Sequence, residues 1–148
     1  MIRRLLGRRR GAFAGVFAVA LVALAVGVAQ ALAATGTATS PILRYNDSCG
    51  QDNGKSAIGS VTFTKIDKTT LRVAIRLNGA TPSMLYNATI WNGACDDHLF
   101  LGGFKTGSDG SGNKTLTIST GGYDSFFVFV NPEGKGVSGE SVTVKVDG

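Results

Sequence analysis

The chain has 148 residues and a formal net charge of +5, from 15 lysines and arginines against 10 aspartates and glutamates. Five arginines lie within the first ten residues, so the remainder carries ten basic and ten acidic side chains and is formally neutral. Because no basic run remains downstream of that start, the charge pattern excludes nucleic acid as the expected partner.

Residues 1–33 carry the parts of a secretory signal peptide. A basic start, MIRRLLGRRR, is followed by a run of small apolar residues that ends in two overlapping Ala-x-Ala sites. We predict cleavage after Ala33 and a mature chain that does not span a membrane. The alternative is an uncleaved membrane anchor, because the apolar run approaches the roughly 20 residues that cross a bilayer. The predicted location is therefore extracellular or in the cell envelope.

Two regions follow the signal. Residues 34–56 are rich in Thr, Ser, Gly, Asn and Asp, which predicts a flexible leader. A short apolar patch at Ile42, Leu43 and Tyr45 is the part of this leader in which an edge strand is expected. Residues 57–148 are predicted to form one domain of ordinary size.

The sequence contains two cysteines, Cys49 and Cys95. In an exported protein, an even pair favours one disulfide bond. Such a bond ties the leader to the domain through Cys49. The alternative is two separate thiols, one of them beside a metal ligand.

The domain alternates apolar and polar residues with a period of two, as in TLRVAIRL at residues 70–77. This pattern predicts β-strands, and seven such segments are separated by turn-forming residues with no helical segment among them. We predict an all-β, antiparallel, seven-stranded Greek-key β-sandwich with one disulfide. The alternative is a small β-barrel.

One connection carries a more specific pattern. In LNGATPSMLYNATI, Leu77 ends a strand, Pro82 lies in the connection and Tyr86 begins the next strand. This arrangement resembles the tyrosine corner of immunoglobulin-like and fibronectin type III domains. The resemblance implies an immunoglobulin-like sandwich in which the Tyr86 hydroxyl bonds to backbone a few residues upstream. It implies no function, because those domains share no common activity.

The segment CDDHLFLGG, residues 95–103, gathers the residue types of a metal site. Asp96, Asp97 and His98 are the candidate ligands of a weak metal site. His98 is the only histidine of the sequence, and adjacent side chains on a strand point to opposite faces, so a polar turn is the competing interpretation. The sequence offers no nucleophile elbow for a Ser-His-Asp triad. We therefore predict a protein that is not an enzyme and has no cofactor.

The aromatic residues suggest a contact surface. SFFVFV is apolar on both faces, with Phe127 and Phe129 on one of them, and Trp91 points outward from LYNATIWN. Because a two-layer sandwich leaves one face of a strand in water, either the leader or loops cover this face, or an apolar patch is exposed. Exposed patches mark partner sites. The pattern predicts a binding module that contacts an extracellular protein or cell-surface partner through these residues, with Arg72 and Arg76 flanking them.

Overall fold

A computed structural model of the chain describes residues 36–44, 49–51 and 56–147. All of these belong to one compact unit, Ala31–Gly148. The predicted signal peptide, residues 1–33, and its cleavage site lie outside the described residues. Regular secondary structure in the described ranges is entirely β. Among the same residues, no helix has the length and apolar character needed to cross a bilayer.

Within the described ranges, nine antiparallel strands form one continuous sheet. In chain order they are β1 (Thr37–Arg44), β2 (Ala57–Lys65), β3 (Thr70–Leu77), β4 (Leu85–Asn92), β5 (His98–Lys105), β6 (Gly112–Ser119), β7 (Ser125–Pro132), β8 (Gly139–Ser141) and β9 (Val144–Lys145). The order across the sheet is β5-β4-β7-β8-β1-β2-β3-β6, and β9 pairs with β7.

The sheet curls until its two end strands, β5 and β6, come close together. The Lys114 ammonium on β6 donates a hydrogen bond to the Gly103 carbonyl on β5, at 3.1 Å. The result is a nearly closed, barrel-like sheet. The predicted all-β antiparallel class is confirmed, and the small β-barrel that was its alternative fits the observed closure.

The strand count differs from the predicted seven at both ends of the fold. The alternation in SVTVKV, residues 141–146, predicts one strand, but β8 ends at Ser141 and β9 begins at Val144. At the other end, β1 is an interior strand that pairs with β2 on one side and with β8 on the other. The strand expected around Ile42 and Leu43 is therefore present within the predicted leader, but it is an interior strand instead of an edge strand, and Ile42 is fully buried in the core.

The core lies between two halves of the curled sheet, one formed by β1, β2, β3 and β6 and the other by β4, β5 and β7. The period-two pattern of the sequence accounts for this, since alternate side chains of each strand point inward. On β3, for example, Leu71 and Val73 are fully buried, whereas Arg72 between them is exposed. Phe63 of β2 and Phe126 of β7 stack across the interior with ring centroids 6.1 Å apart.

Tyr86 joins two connections at one end of the core. Its hydroxyl accepts a hydrogen bond from the Thr81 amide, 2.9 Å away, and donates one to the Val137 carbonyl at 2.8 Å. The Val137 amide in turn donates to the Thr81 hydroxyl at 2.9 Å. The bond to Thr81, five residues upstream and next to Pro82, is the contact that the tyrosine-corner pattern predicts. Together, the bonds of the Tyr86 hydroxyl to Thr81 and to Val137 hold the β3–β4 connection against the β7–β8 connection.

Two aspartates shape tight turns. In the β2–β3 turn, the Thr69 amide donates to the Asp67 carboxylate at 2.8 Å, and this bond lowers the pKa of Asp67. In the β5–β6 turn, the Ser111 hydroxyl donates to the Asp109 carboxylate at 2.7 Å and lowers the pKa of Asp109 in the same way. Both carboxylates therefore have the turn-forming role that is typical of aspartate at such positions.

Candidate functional site

Aromatic side chains gather on the outer face of β4, β5 and β7. Trp91 on β4 pairs with His98 on β5 and with Phe127 on β7. The Trp91 ring stacks on His98, with centroids 4.3 Å apart and planes 26° apart, and on Phe127 at 6.3 Å and 9°. Directly opposed residues of antiparallel strands share a face. Phe100 and Phe129, both opposite Thr89, therefore lie on the same face. We name these five rings the outer aromatic face.

The rings differ in exposure. Phe100 is 61% exposed, and its neighbour Leu99 is 47% exposed. Trp91 and Phe129 are half-buried, whereas Phe127 is only 3% exposed. Phe127 is therefore covered in the described structure, and its role as a contact residue stays a prediction. The sequence interpretation missed Phe100. Residues two apart on a strand share a face, so Phe100 lies on the same face as His98, which is paired with Trp91.

A short segment, residues 49–51, covers Phe127, and we name it the strap. The Gly50 amide donates to the buried carboxylate of Glu140, and the Gly50 carbonyl accepts from the Thr143 amide. The strap lies so close that a Cβ on Gly50 would stand 2.9 Å from two carbons of the Phe127 ring. Part of the outer face is thus covered by residues from the predicted leader, one of the two alternatives raised by the sequence.

The predicted disulfide holds the strap in place. Cys49 is bonded to Cys95, and their Cα atoms are 6.3 Å apart. Cys95 follows β4 in the connection to β5, so the bond joins the strap to the edge of the outer aromatic face. A disulfide is consistent with an oxidising, extracellular environment.

Replacing Gly50 by alanine is expected to lower the free energy of unfolding by about 2 kcal/mol, because it combines an unfavourable backbone conformation with a clash. Gly50 has φ of +71°, and its Cβ would clash with the Thr143 hydroxyl and with the Phe127 ring. Gly122 has φ of +90° with nothing within 4 Å of its Cβ. Gly122→Ala is thus the matched control, with an expected loss of about 1 kcal/mol. Urea unfolding measures both losses, and equal values would contradict close packing of the strap on Thr143 and Phe127.

The two arginines predicted to flank the aromatic residues lie elsewhere. Arg72 and Arg76 are exposed on β3, where they pair with residues of β2 and β6. Four strands, β7, β8, β1 and β2, separate β3 from β4 in the sheet order. Both arginines therefore lie in the other half of the sheet from Trp91, because the chain crosses between the halves after β3. A flanking role for them stays a prediction.

The structure does not assemble Asp96, Asp97 and His98 into a metal site. Within the described ranges, no group of three or more His, Cys, Asp or Glu side chains is arranged to hold a metal ion. The Asp96 carboxylate instead accepts a hydrogen bond from the Asn92 side-chain amide, and the His98 ring stacks on Trp91. These contacts are those of a polar turn leading into β5, which was the competing interpretation.

A cleft opens beside the outer aromatic face, between the start of β5 and the end of β6. Its volume is about 330 Å³, and its apolar lining comes from the inner side of the sheet, with Ile90, Leu99, Ile118 and Phe126 among the residues. Asp97 and Thr120 add polar groups to the lining. Its place in the fold follows from the missing hydrogen bonds between β5 and β6, which leave the described sheet open at this seam.

No protein-family model matches the chain, and no curated protein matches it significantly. The geometry of the outer aromatic face is therefore the basis for assigning a function.

Proposed function

We propose that this chain is a secreted or cell-envelope binding module, without enzymatic activity, whose contact surface is the outer aromatic face. The observation that carries the proposal is the 61% exposure of Phe100 on the same face as the half-buried Trp91 and Phe129. Large apolar side chains that are exposed together are typical of partner sites. Trp91 and Phe129 belong to the same contact surface, and the covered Phe127 stacks against the Trp91 ring.

The arrangement of the rings favours a protein partner over a flat small molecule. His98 stacks on one face of the Trp91 ring and Phe127 on the other. Only the edge of the Trp91 ring is therefore available to a ligand, and a flat molecule has no free ring face on which to stack. Polar side chains continue the same face: Asn87 donates to Glu133 at 3.1 Å, and Asn131 accepts from a serine hydroxyl at 2.7 Å. An apolar centre beside polar groups is typical of protein interfaces.

The proposed location rests on two observations. Residues 1–33 have the sequence of a secretory signal. The Cys49–Cys95 bond is of the kind that persists in oxidising compartments. An extracellular protein or a cell-surface partner is therefore the proposed class of ligand.

We also propose that the fold is related to immunoglobulin-like and fibronectin type III sandwiches. If β2 is taken as strand A, then β3, β4, β5, β6, β7 and β8 take the places of B, C, C′, E, F and G. The pairs β3–β6 and β4–β7 then correspond to the B–E and C–F neighbours of that family. In this scheme β1 is an additional strand, and the Tyr86 contact lies at the B–C crossover instead of the E–F corner of antibody domains.

Photo-crosslinking tests the proposed surface. Phe100 is replaced by benzoylphenylalanine in cells that express the full chain, and Ile66, 36% exposed in the β2–β3 turn, receives the same replacement as the matched control. Irradiation is expected to give a protein adduct from position 100 and none from position 66. Adducts of equal yield at both positions, or none at position 100, would overturn the proposal.

Fluorescence quenching gives a second check of the same surface. Trp91 is the only tryptophan of the sequence, so its emission reports this face alone. Because the side chain is half-buried, acrylamide is expected to quench the native protein to a level between that of free tryptophan and that of a fully buried indole. Emission that acrylamide leaves unchanged in the native protein would remove Trp91 from the contact surface.

A further inference from the structure

The outward side of β2, β3 and β6 carries rows of short polar side chains. Alternate residues of a strand point outward, and directly opposed residues of antiparallel strands share a face. The registers of β3 with β2 and with β6 therefore align the outward residues across all three strands. In order along β3, the rows are Thr64, Arg72 and Thr117; then Thr62, Ala74 and Thr115; and then Ser60, Arg76 and Asn113. We name these residues the outer polar face.

A groove with a volume of about 490 Å³ lies over Ala74, the middle residue of the central row. Its walls come from β2 on one side, through Thr62, and from β6 on the other, through Thr115, and Arg76 also lines it. The groove exists because alanine is short, whereas the outward residues before and after it on β3 are arginines. Arg72 and Arg76 are four residues apart, which sets their backbone positions roughly 13 Å apart along the strand.

The two arginines have no partner for their charge. Both are exposed, and among the described residues neither guanidinium has a hydrogen bond or an ion pair. The outer polar face contains no aspartate or glutamate, so the arginines are its only charged residues. A face that serves solubility alone usually mixes charges of both signs. Because a guanidinium binds a carboxylate through two parallel hydrogen bonds, this face is suited to a ligand with acid groups.

The hydroxyl groups beside the groove indicate that the ligand carries hydroxyls as well. A threonine hydroxyl donates one hydrogen bond and accepts up to two. The Thr62 hydroxyl shares a bond of 3.0 Å with the Thr39 hydroxyl of β1, and the Thr115 hydroxyl has no partner among the described residues. Both therefore retain capacity for a ligand. None of the exposed large apolar side chains lies on this face, so it offers no anchor for a protein interface or a lipid surface.

We propose that the outer polar face binds an acidic polysaccharide, which runs along β3 through the groove over Ala74. Arg72 and Arg76 bind carboxylate groups of the polymer, and the threonines bind its hydroxyls. An acidic peptide supplies the carboxylates without the hydroxyls, and a neutral polysaccharide supplies the hydroxyls without the carboxylates. A nucleic acid needs more basic contacts than two arginines provide. The inference concerns the other half of the sheet from the outer aromatic face and does not depend on the function proposed for that face.

Isothermal titration calorimetry with three polymers tests the class of ligand. Protein purified from cells that express the full chain is titrated at low salt with polygalacturonate, with poly-glutamate and with dextran. Polygalacturonate has both carboxylates and hydroxyls and is expected to bind. Poly-glutamate lacks the hydroxyls and dextran lacks the carboxylates, so each is expected to bind at least about tenfold more weakly. Polygalacturonate that does not bind, or poly-glutamate that binds equally well, would overturn the inference.

Two variants test the position of the site. The double variant Arg72→Gln, Arg76→Gln removes both charges and is expected to bind polygalacturonate about tenfold more weakly. Ala74→Ile keeps the charges but fills the groove, and a loss of similar size is expected. The control Lys105→Gln removes an exposed positive charge from β5, in the other half of the sheet, and is expected to bind like the wild type. Circular dichroism checks that each variant is folded. Normal affinity in either variant, or an equal loss in the control, would contradict binding at this face.

Discussion

Replacing Cys49 and Cys95 together by serine is expected to lower the free energy of unfolding by about 4 kcal/mol. The bond joins residues 46 apart in the sequence, and opening a loop of that length restores the corresponding chain entropy to the unfolded state. The strap then loses its covalent attachment beside Phe127, so its hydrogen bonds to Glu140 and Thr143 must hold it alone.

Urea unfolding of the oxidised wild type and the double variant measures this loss. The wild type unfolded in the presence of reductant serves as the control and is expected to match the variant. Mass spectrometry of the mature protein is expected to show a gain of two protons on reduction. A stability difference below about 1 kcal/mol would show that the closed loop contributes far less than chain entropy requires.

Tyr86→Phe is expected to lower the free energy of unfolding by about 3 kcal/mol. The ring remains packed in the core, but the Thr81 amide and the Val137 carbonyl both lose the hydroxyl that satisfies them. Each buried polar group left without a partner costs about 1–3 kcal/mol. The loss is expected as a lower urea midpoint with an unchanged slope, because the native fold is retained.

Tyr123→Phe is the matched control for this substitution. Tyr123 is 43% exposed in the β6–β7 connection, so removal of its hydroxyl is expected to change stability by less than about 0.5 kcal/mol. Similar losses at the two tyrosines would contradict a special role for the Tyr86 hydroxyl.

Local periodicity was sufficient to predict most of the strands. Along β3, the alternation of leucine, valine and isoleucine with arginine assigns each side chain to a face without any knowledge of its neighbours. The pairing of β1 was not predictable in this way. Its sequence, TATSPILR, is only half apolar and lacks the regular alternation of β3, and its place between β2 and β8 depends on strands that are distant in the chain.

The residues of the candidate site were likewise predictable from the sequence only in part. The pairing of Cys49 with Cys95 followed from counting cysteines in an exported chain, and the outward direction of Trp91 followed from period two. The covering of Phe127 by the strap did not follow from the sequence, because it depends on the packing of Gly50 against a strand that is distant in the chain. The position of Arg72 and Arg76 relative to Trp91 was not predictable for a related reason: an exposed position on a strand does not show in which half of the sheet that strand lies.

The place of β1 between β2 and β8 has a kinetic consequence. Ile42 is registered opposite Ser141, so the contact that joins the two halves of the sheet brings together the two ends of the described chain. Closing so long a loop has an entropic cost, and folds dominated by such distant pairings fold on the scale of milliseconds to seconds. A chain that is still emerging from the ribosome or from a membrane pore lacks the last strands, so its first strand has nothing to pair with on that side. Joining of the two halves through β1 and β8 therefore waits for the C-terminal residues to arrive.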